Sequence, residues 1–333
     1  PLERVEMDGW TVDLMTIAKS TRLLEKLAPE LVREMELDGG KKRWHLIGAI
    51  CCTTRCLVGV TFSKSENVSA AIDCLQMIMR DKGYHADAVG ALSPWHMHGI
   101  PDVLVTDNGS AFANYRFIAA AKFTALDLMR APAGLPQLRG TMERVLETTS
   151  TNLVGRLSGR TFSDVVQRGD YPSEARAVNT VEDFATMLVR WVVDVYHNTP
   201  HEGLGGETPF ECWERLSNLY GVRPRPDLRT QRIAFGVELE RKINKSGLTV
   251  LGVSYNSERL GSHFRQMGSC SLQVRWLPEN IGAIEVSLND EWVAVEAVLP
   301  EFQGRTARDW TLCRNLIRRV DPNAREIARS VVA

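Results

Sequence analysis

Val103-Leu104-Val105-Thr106-Asp107-Asn108-Gly109-Ser110 runs four apolar or β-branched residues straight into an acid, and Asn-Gly then breaks the pattern. A buried strand that delivers a carboxylate at its C-terminal end has this form, and open α/β sheets place their ligands at that end. Asp-Asn-Gly is also an ordinary turn. The octet alone does not choose between turn and site, so the rest of the chain has to.

Upstream, Val5 to Leu14 alternates apolar and polar residues as a strand does and carries Asp8 and Asp13. Leu23, Leu24, Leu27, Leu31 and Val32 fall at helical spacing, which predicts an amphipathic helix over Thr21–Glu36, ended by a turn at Asp38-Gly39-Gly40. Trp44–Cys52 and Cys56–Phe62 read as an antiparallel hairpin joined at Thr53-Thr54-Arg55. Ser65 is expected to cap the next helix. The order is then strand, strand, strand, helix, strand: an α/β arrangement with a mixed sheet.

Downstream, Ala125–Arg130 reads as a strand, and a helix starts near Gln137 with Glu143 and Glu147 on one face. Thr180–Tyr196 is a further helix, and Thr208-Pro209-Phe210-Glu211 opens another with a capping box. Arg, Pro and Asp then dominate residues 218–231, which read as a linker. Short strands follow over Ile233–Leu239, Leu248–Tyr255, Ser271–Trp276, Ile284–Leu288 and Trp292–Val298, the pattern of a small barrel. From Gln303 the tail is Arg-rich and reads as a basic helix or arm. The expected divisions are a core at 1–217, a linker at 218–231, a β-barrel at 232–300 and a basic tail at 301–333.

Composition bounds the function. With 333 residues, 44% hydrophobic and 24% charged, the chain has the make-up of a globular protein of two or three domains. No apolar run approaches the roughly 18 residues of a membrane span. The chain opens on Pro1 rather than Met, which reads as a piece cut from something longer. Residues 1–217 hold 23 Lys and Arg against 28 Asp and Glu, whereas 218–333 hold 17 against 13. An acidic front and a basic rear suit a metal site joined to a polyanion-binding part, although solvated faces would look the same. The seven cysteines form no CxxC pair and read as reduced thiols. His96/His98 and His197/His201 lack the cysteine pairs of a zinc finger, and the loop His197–His201 reads as structural.

Three acids now stand in relation: Asp8, Asp107 and Glu143, with 35 residues between the last two. Around them lie Met7-Asp8-Gly9-Trp10-Thr11-Val12-Asp13, Thr106-Asp107-Asn108-Gly109-Ser110-Ala111-Phe112 and Gly140-Thr141-Met142-Glu143-Arg144. Tyr196-His197-Asn198-Thr199-Pro200-His201 precedes Gly203 to Glu211, and Val253–Ser257 and Val274–Pro278 come later. In this order the motifs resemble the DDE transposase and retroviral-integrase superfamily, nearest to the phage Mu transposase and the large DDE subunit of Tn7-like elements. The resemblance covers most of positions 1 to 300.

The resemblance implies an RNase H-like mixed five-stranded sheet flanked by helices, followed by a small all-β barrel. It implies a Mg²⁺-dependent transposase or integrase of bacterial or phage origin, cytoplasmic and acting on double-stranded DNA. Asp8, Asp107 and Glu143 would hold two Mg²⁺ ions, with Mn²⁺ able to substitute. Water would first free a 3′-OH at the element's end, and that 3′-OH would then attack target DNA. A homo-oligomer on DNA and an AAA+ ATPase that selects targets are the implied partners. Asp13 or Asp38 could stand in for Asp8, and Glu147 for Glu143. Arg139, Arg144, Arg223, Arg225, Arg275, Arg318 and Arg319 are the candidate DNA contacts. Rival functions are an RNase H-like nuclease without strand transfer and a catalytically inactive DNA-binding scaffold. The chain departs from many relatives in an insertion over about Met15–Lys42, and in Leu135-Pro136-Gln137-Leu138-Arg139 where they carry a Gly/Lys-rich run.

Overall fold

His45–Cys51 is buried at every position, and a strand apolar on both faces belongs in the interior of a covered sheet. The computed structural model places it there. It describes residues 1–12, 16–19, 38–42, 44–132, 140–157 and 181–320, in two units, Pro1–Arg225 and Pro226–Ala333. The first unit contains β1 (Arg4–Thr11), β2 (Thr16–Lys19), β3 (Asp38–Lys42), β4 (His45–Cys51), β5 (Leu57–Ser63), α1 (Val68–Met79), α2 (Gly83–Ala88) and β6 (Val103–Thr106). It continues with α3 (Ser110–Ala113), α4 (Tyr115–Phe123), β7 (Asp127–Arg130), α5 (Gly140–Asn152), α6 (Val181–Arg190) and α7 (Pro209–Tyr220).

Five strands make one mixed sheet in the order β5-β4-β1-β6-β7. The first three pair antiparallel, and β6 and β7 pair parallel to β1. This is the RNase H-like arrangement, and it puts the C-terminal ends of β1 and β6 side by side. Helix α1 covers one face with Ala71, Cys74, Leu75 and Ile78 buried. Gly59 of β5 allows the approach, because a Cβ there would lie 3.1 Å from the Cys74 carbonyl oxygen. Helix α5 packs on β1 and β4, where a Cβ at Gly48 would come 2.5 Å from Met142 Cε. No helix among the described residues is long and apolar enough to cross a membrane.

Three local expectations need correction or lie out of reach. The cap of α1 is Asn67, whose Oδ1 accepts from the Ala70 N–H at 2.9 Å, and Ser65 instead offers its carbonyl to the Asn67 side chain. Asp38-Gly39-Gly40 belongs to a strand: β3 pairs antiparallel with β2, so the ladder between departing and returning chain overrides the turn-forming composition. The helix expected over Thr21–Glu36 lies outside the described residues. Helix α6 passes into a π-type turn at Trp191–Val195 and then a 3₁₀ turn at Tyr196–Asn198. Helix α7 has the expected capping box, with Thr208 Oγ1 accepting from the Glu211 N–H at 3.1 Å and Glu211 accepting from the Thr208 N–H at 2.9 Å.

The second unit opens with α8 (Leu228–Phe235), capped by Asp227, so part of the stretch 218–231 is helical. Then come β8 (Val237–Lys242), β9 (Leu248–Val250), β10 (Val253–Tyr255), α9 (Glu258–Met267), β11 (Ser271–Leu277), β12 (Asn280–Leu288), β13 (Glu291–Glu296) and α10 (Ala307–Val320). A four-stranded sheet, β13-β12-β11-β8, and the β9-β10 pair are joined at both ends. Asn244 bridges Gly247 on one side; Tyr255 bridges Ala297, and the Val298 N–H donates to the Ser254 carbonyl, on the other. The ring encloses Val250, Val253, Tyr255, Leu260, Val274, Ile284 and Val286. The first expected strand starts four residues late because Ile233–Phe235 end α8. Its Arg232 reaches the fully buried Glu285 of β12 at 3.0 Å.

Candidate active site

Parallel pairing of β1 with β6 sets Arg4 opposite Val103, Val5 opposite Leu104 and Glu6 opposite Val105. Carried two residues further, the register puts Asp8 level with Asp107. Side chains alternate along a strand, so Glu6, Asp8, Val105 and Asp107 share one face. Both aspartates are half-buried. Each has one oxygen held by nearby backbone: the Gly9 N–H donates to Asp8 Oδ1 at 2.9 Å, and the Gly109 N–H donates to Asp107 Oδ1 at 2.9 Å. Asn108 ties the turn to the end of β7 by donating to the Ala131 carbonyl at 3.1 Å. The octet is therefore both a turn and a presenting strand, and the turn orients the carboxylate.

Glu143 lies exposed in the first turn of α5. The residue that fixes this helix is Glu6, which is buried and lies two positions before Asp8 on the same strand face. Its Oε2 accepts from the Thr141 N–H at 3.0 Å and the Met142 N–H at 2.9 Å. A carboxylate on the open N–H groups of a helix start satisfies them and complements the helix dipole. The strand that carries Asp8 thus also anchors the helix that carries Glu143. Sequence reasoning missed Glu6; its signal was a second acid two residues before Asp8, on the same face of the strand and flanked by the buried Val5 and Met7.

Two more groups border the aspartates. Glu66, just before α1, accepts from the Ala111 N–H at 3.4 Å. A Cβ at Gly109 would lie 2.5 Å from Glu66 Oε1 and 2.9 Å from Asp107 Oδ1, so the absence of a side chain there lets the two carboxylates approach. His45 of β4 is buried with Nε2 beside Gly9 and, among the described residues, without a hydrogen-bond partner. Burial lowers its pKa, and Glu66 opposes the shift. Oxygen donors of this kind suit a hard divalent cation. Among the described residues no three of His, Cys, Asp and Glu converge closely enough to hold a metal ion. The register brings Asp8 and Asp107 together, and Glu143 stands on the anchored helix without completing a three-carboxylate cluster.

The remaining candidates scatter. Arg144 is exposed beside Glu143, and Glu147 is exposed one turn further along α5. Arg223 donates to the Pro101 and Ala125 carbonyls at 3.3 and 3.0 Å and pairs with Asp102, all within the first unit. Arg225 is exposed. Arg275 is committed to the barrel, donating to the Ile233 carbonyl, pairing with Glu238 at 3.5 Å and stacking over Trp292 at 4.5 Å. Arg139 and Asp13 lie outside the described residues, as do the side chains of Asp38, Arg318 and Arg319. In the loop after α6, the Leu57 N–H donates to His197 Nε2 at 3.0 Å and the Tyr196 hydroxyl donates to the Arg55 carbonyl at 3.0 Å.

Residues 30–159 match the family described as the TnsB C-terminal domain. Over 208 residues, 62% of the chain, the sequence is 22% identical to the transposase for transposon Tn552 of Staphylococcus aureus. Over this part of its length the chain is thus similar to transposases. It spans 40% of the length of the Tn552 transposase. Solved structures similar to it include the catalytic core domain of BIV integrase, with TM-score 0.36, 15% identity, and 66% of this chain and 98% of that one covered. A simian T-cell lymphotropic virus intasome in complex with PP2A regulatory subunit B56 gamma gives TM-score 0.39 and 15% identity, over 92% of this chain and 79% of that one.

Proposed function

We propose that the chain is the catalytic part of a DNA transposase that hydrolyses the ends of a mobile element and transfers the freed 3′-OH into target DNA, with Asp8, Asp107 and Glu143 as its metal-binding acids. The observation that carries this reading is the level placement of Asp8 and Asp107 on adjacent parallel strands, with the Glu143 helix anchored to the same strand by Glu6. The chemistry of the donors fits a pair of divalent cations, Mg²⁺ or Mn²⁺. When bound, such ions supply activation of the attacking oxygen and stabilisation of the leaving 3′ oxygen.

The protein's own share is orientation. Gly9 and Gly109 each fix one carboxylate oxygen through a backbone N–H. Asn108 pins the turn to β7, and Glu6 holds the start of α5. Held in this way, the two aspartate carboxylates are oriented before substrate arrives. Double-stranded DNA at element ends and target is the proposed partner, with a homo-oligomer assembled on it. Target choice by an AAA+ ATPase and action in the bacterial cytoplasm complete the reading.

The test offers the full-length protein pre-cleaved terminal DNA, a target plasmid and Mg²⁺. Joined products that vanish with Asp107→Asn and with Glu143→Gln are expected. Nicking without joining would favour a nuclease, and full activity in either variant would refute the assignment of the acids.

A further inference from the structure

On α5, Thr141, Arg144, Thr148 and Asn152 recur every three or four residues and so form one stripe, which Arg156 continues in the following 3₁₀ turn. This stripe forms a wall of a cleft of about 1030 Å³. The opposite wall is the loop after α6, with Tyr196, Thr199 and His201. Neither Asp8, Asp107 nor Glu143 lines it.

Its chemistry is that of an anion site. Arg55, Arg144 and Arg156 all line the cleft, and among the described residues none of them is in an ion pair. Arg55 reaches across the hairpin turn to donate to Thr141 Oγ1 at 2.7 Å, and its buried Nε has no hydrogen-bond partner among the described residues. The Tyr196 hydroxyl holds the Arg55 carbonyl from the other wall, with the Tyr196 ring stacked on Trp191. After burial, Arg55 and Arg144 are the next causes lowering the His201 pKa, as a positive field requires. The Thr141 hydroxyl, which accepts from Arg55, keeps its own proton to donate, whereas Thr148 and Thr199 already donate to the Arg144 and Val195 carbonyls; Glu147 is the one acid among the lining residues. Three guanidiniums without an ion pair among the described residues, gathered on a concave surface, suit phosphate oxygens.

We propose that this cleft seats backbone phosphates of the DNA strand that runs past Glu143, with Arg144 and Arg156 as direct phosphate contacts and Arg55 as their fixed neighbour. The inference rests on the reading of the chain as a DNA-processing enzyme and extends it to a second surface of the same helix. The otherwise structural loop Tyr196–His201 then has a reason to sit where it does: it forms the far wall for the bound strand.

The experiment measures affinity of this chain for a fluorescent 30-base-pair duplex against salt, in EDTA so that metal binding plays no part. Wild type, Arg144→Gln, Arg156→Gln and the exposed off-cleft Lys122→Gln are compared, each checked for an unchanged melting temperature. Each arginine variant is expected to bind about tenfold more weakly and to lower the slope of log K against log salt by about 0.9, one phosphate contact, and Lys122→Gln to do neither. Unchanged slopes in both arginine variants, or an equal loss in Lys122→Gln, overturns the proposal. Stabilisation by inorganic phosphate that the arginine variants lose, with DNA slopes unchanged, would make the cleft a free-anion site and also overturns it. A wild type with no salt-dependent affinity refutes the DNA reading itself, a failure distinct from one confined to the variants.

Discussion

Gly109 shows how a single missing side chain sets up the site. Its φ of −55° is open to any residue, so the constraint is space rather than backbone conformation. A methyl group there would meet Glu66 Oε1 and Asp107 Oδ1. Glu66 can swing away at little cost, whereas Asp107 is held by the turn it closes. Gly109→Ala is therefore expected to leave the melting temperature within a few degrees while strand transfer falls by about 100-fold, the penalty typical of a displaced reacting group. His197 makes the opposite kind of contribution, to stability alone. It is fully buried, accepts the Leu57 N–H, and burial pushes its pKa down to about 3. The unfolded chain binds this proton near pH 6.5 and the folded chain does not, so stability falls as pH drops from about 6.5 towards 3. Urea unfolding of the first unit should lose about 2 kcal/mol between pH 6.5 and pH 5 from this group, at 1.36 kcal/mol per pH unit. His197→Gln, which keeps an acceptor for Leu57, should flatten that slope.

Among the elements, α5 depends most on one distant residue. Glu6 supplies acceptors to two N–H groups at its start, and among the described residues these are the bonds that tie the helix start to β1. Glu6→Ala should cost about 2–4 kcal/mol by leaving two buried donors unpaired, with Glu6→Gln roughly half as costly; chemical denaturation of the two variants measures the difference. Legibility followed the length and regularity of each pattern. The β4–β5 hairpin, β6 and the capping box of α7 were plain because apolar runs and Thr-Pro-x-Glu leave few alternatives. Helix α9 was missed because its apolar period is only three residues long, Leu260, Phe264 and Met267, in an otherwise polar segment of ten. Helix α8 hid in an Arg- and Pro-rich stretch, with Asp227 as a cap that could only be recognised beside a helix already known to start there. Asn67 displaced Ser65 as cap because both residue types suit the role and only backbone geometry selects between them.

At the scale of the whole molecule, two units follow one another along the chain, divided between Arg225 and Pro226. The division falls inside the stretch whose composition reads as a linker, since proline and arginine interrupt both periodicities there. The placement of Asp8 level with Asp107 was legible because a mixed sheet of this topology sets its first and fourth strands side by side. What could not be read were the supports, Glu6, Glu66 and Arg55, because each acts on a residue 45 to 136 positions away. The proposed function requires Asp8 and Asp107 together to hold a divalent cation at the head of the sheet. A crystal of the chain soaked in Mn²⁺ and measured at the manganese edge tests it most directly. An anomalous peak is expected about 2.1 Å from a carboxylate oxygen of each aspartate, lost in Asp107→Asn. Manganese bound elsewhere in the molecule, with no peak between these two residues, would contradict it.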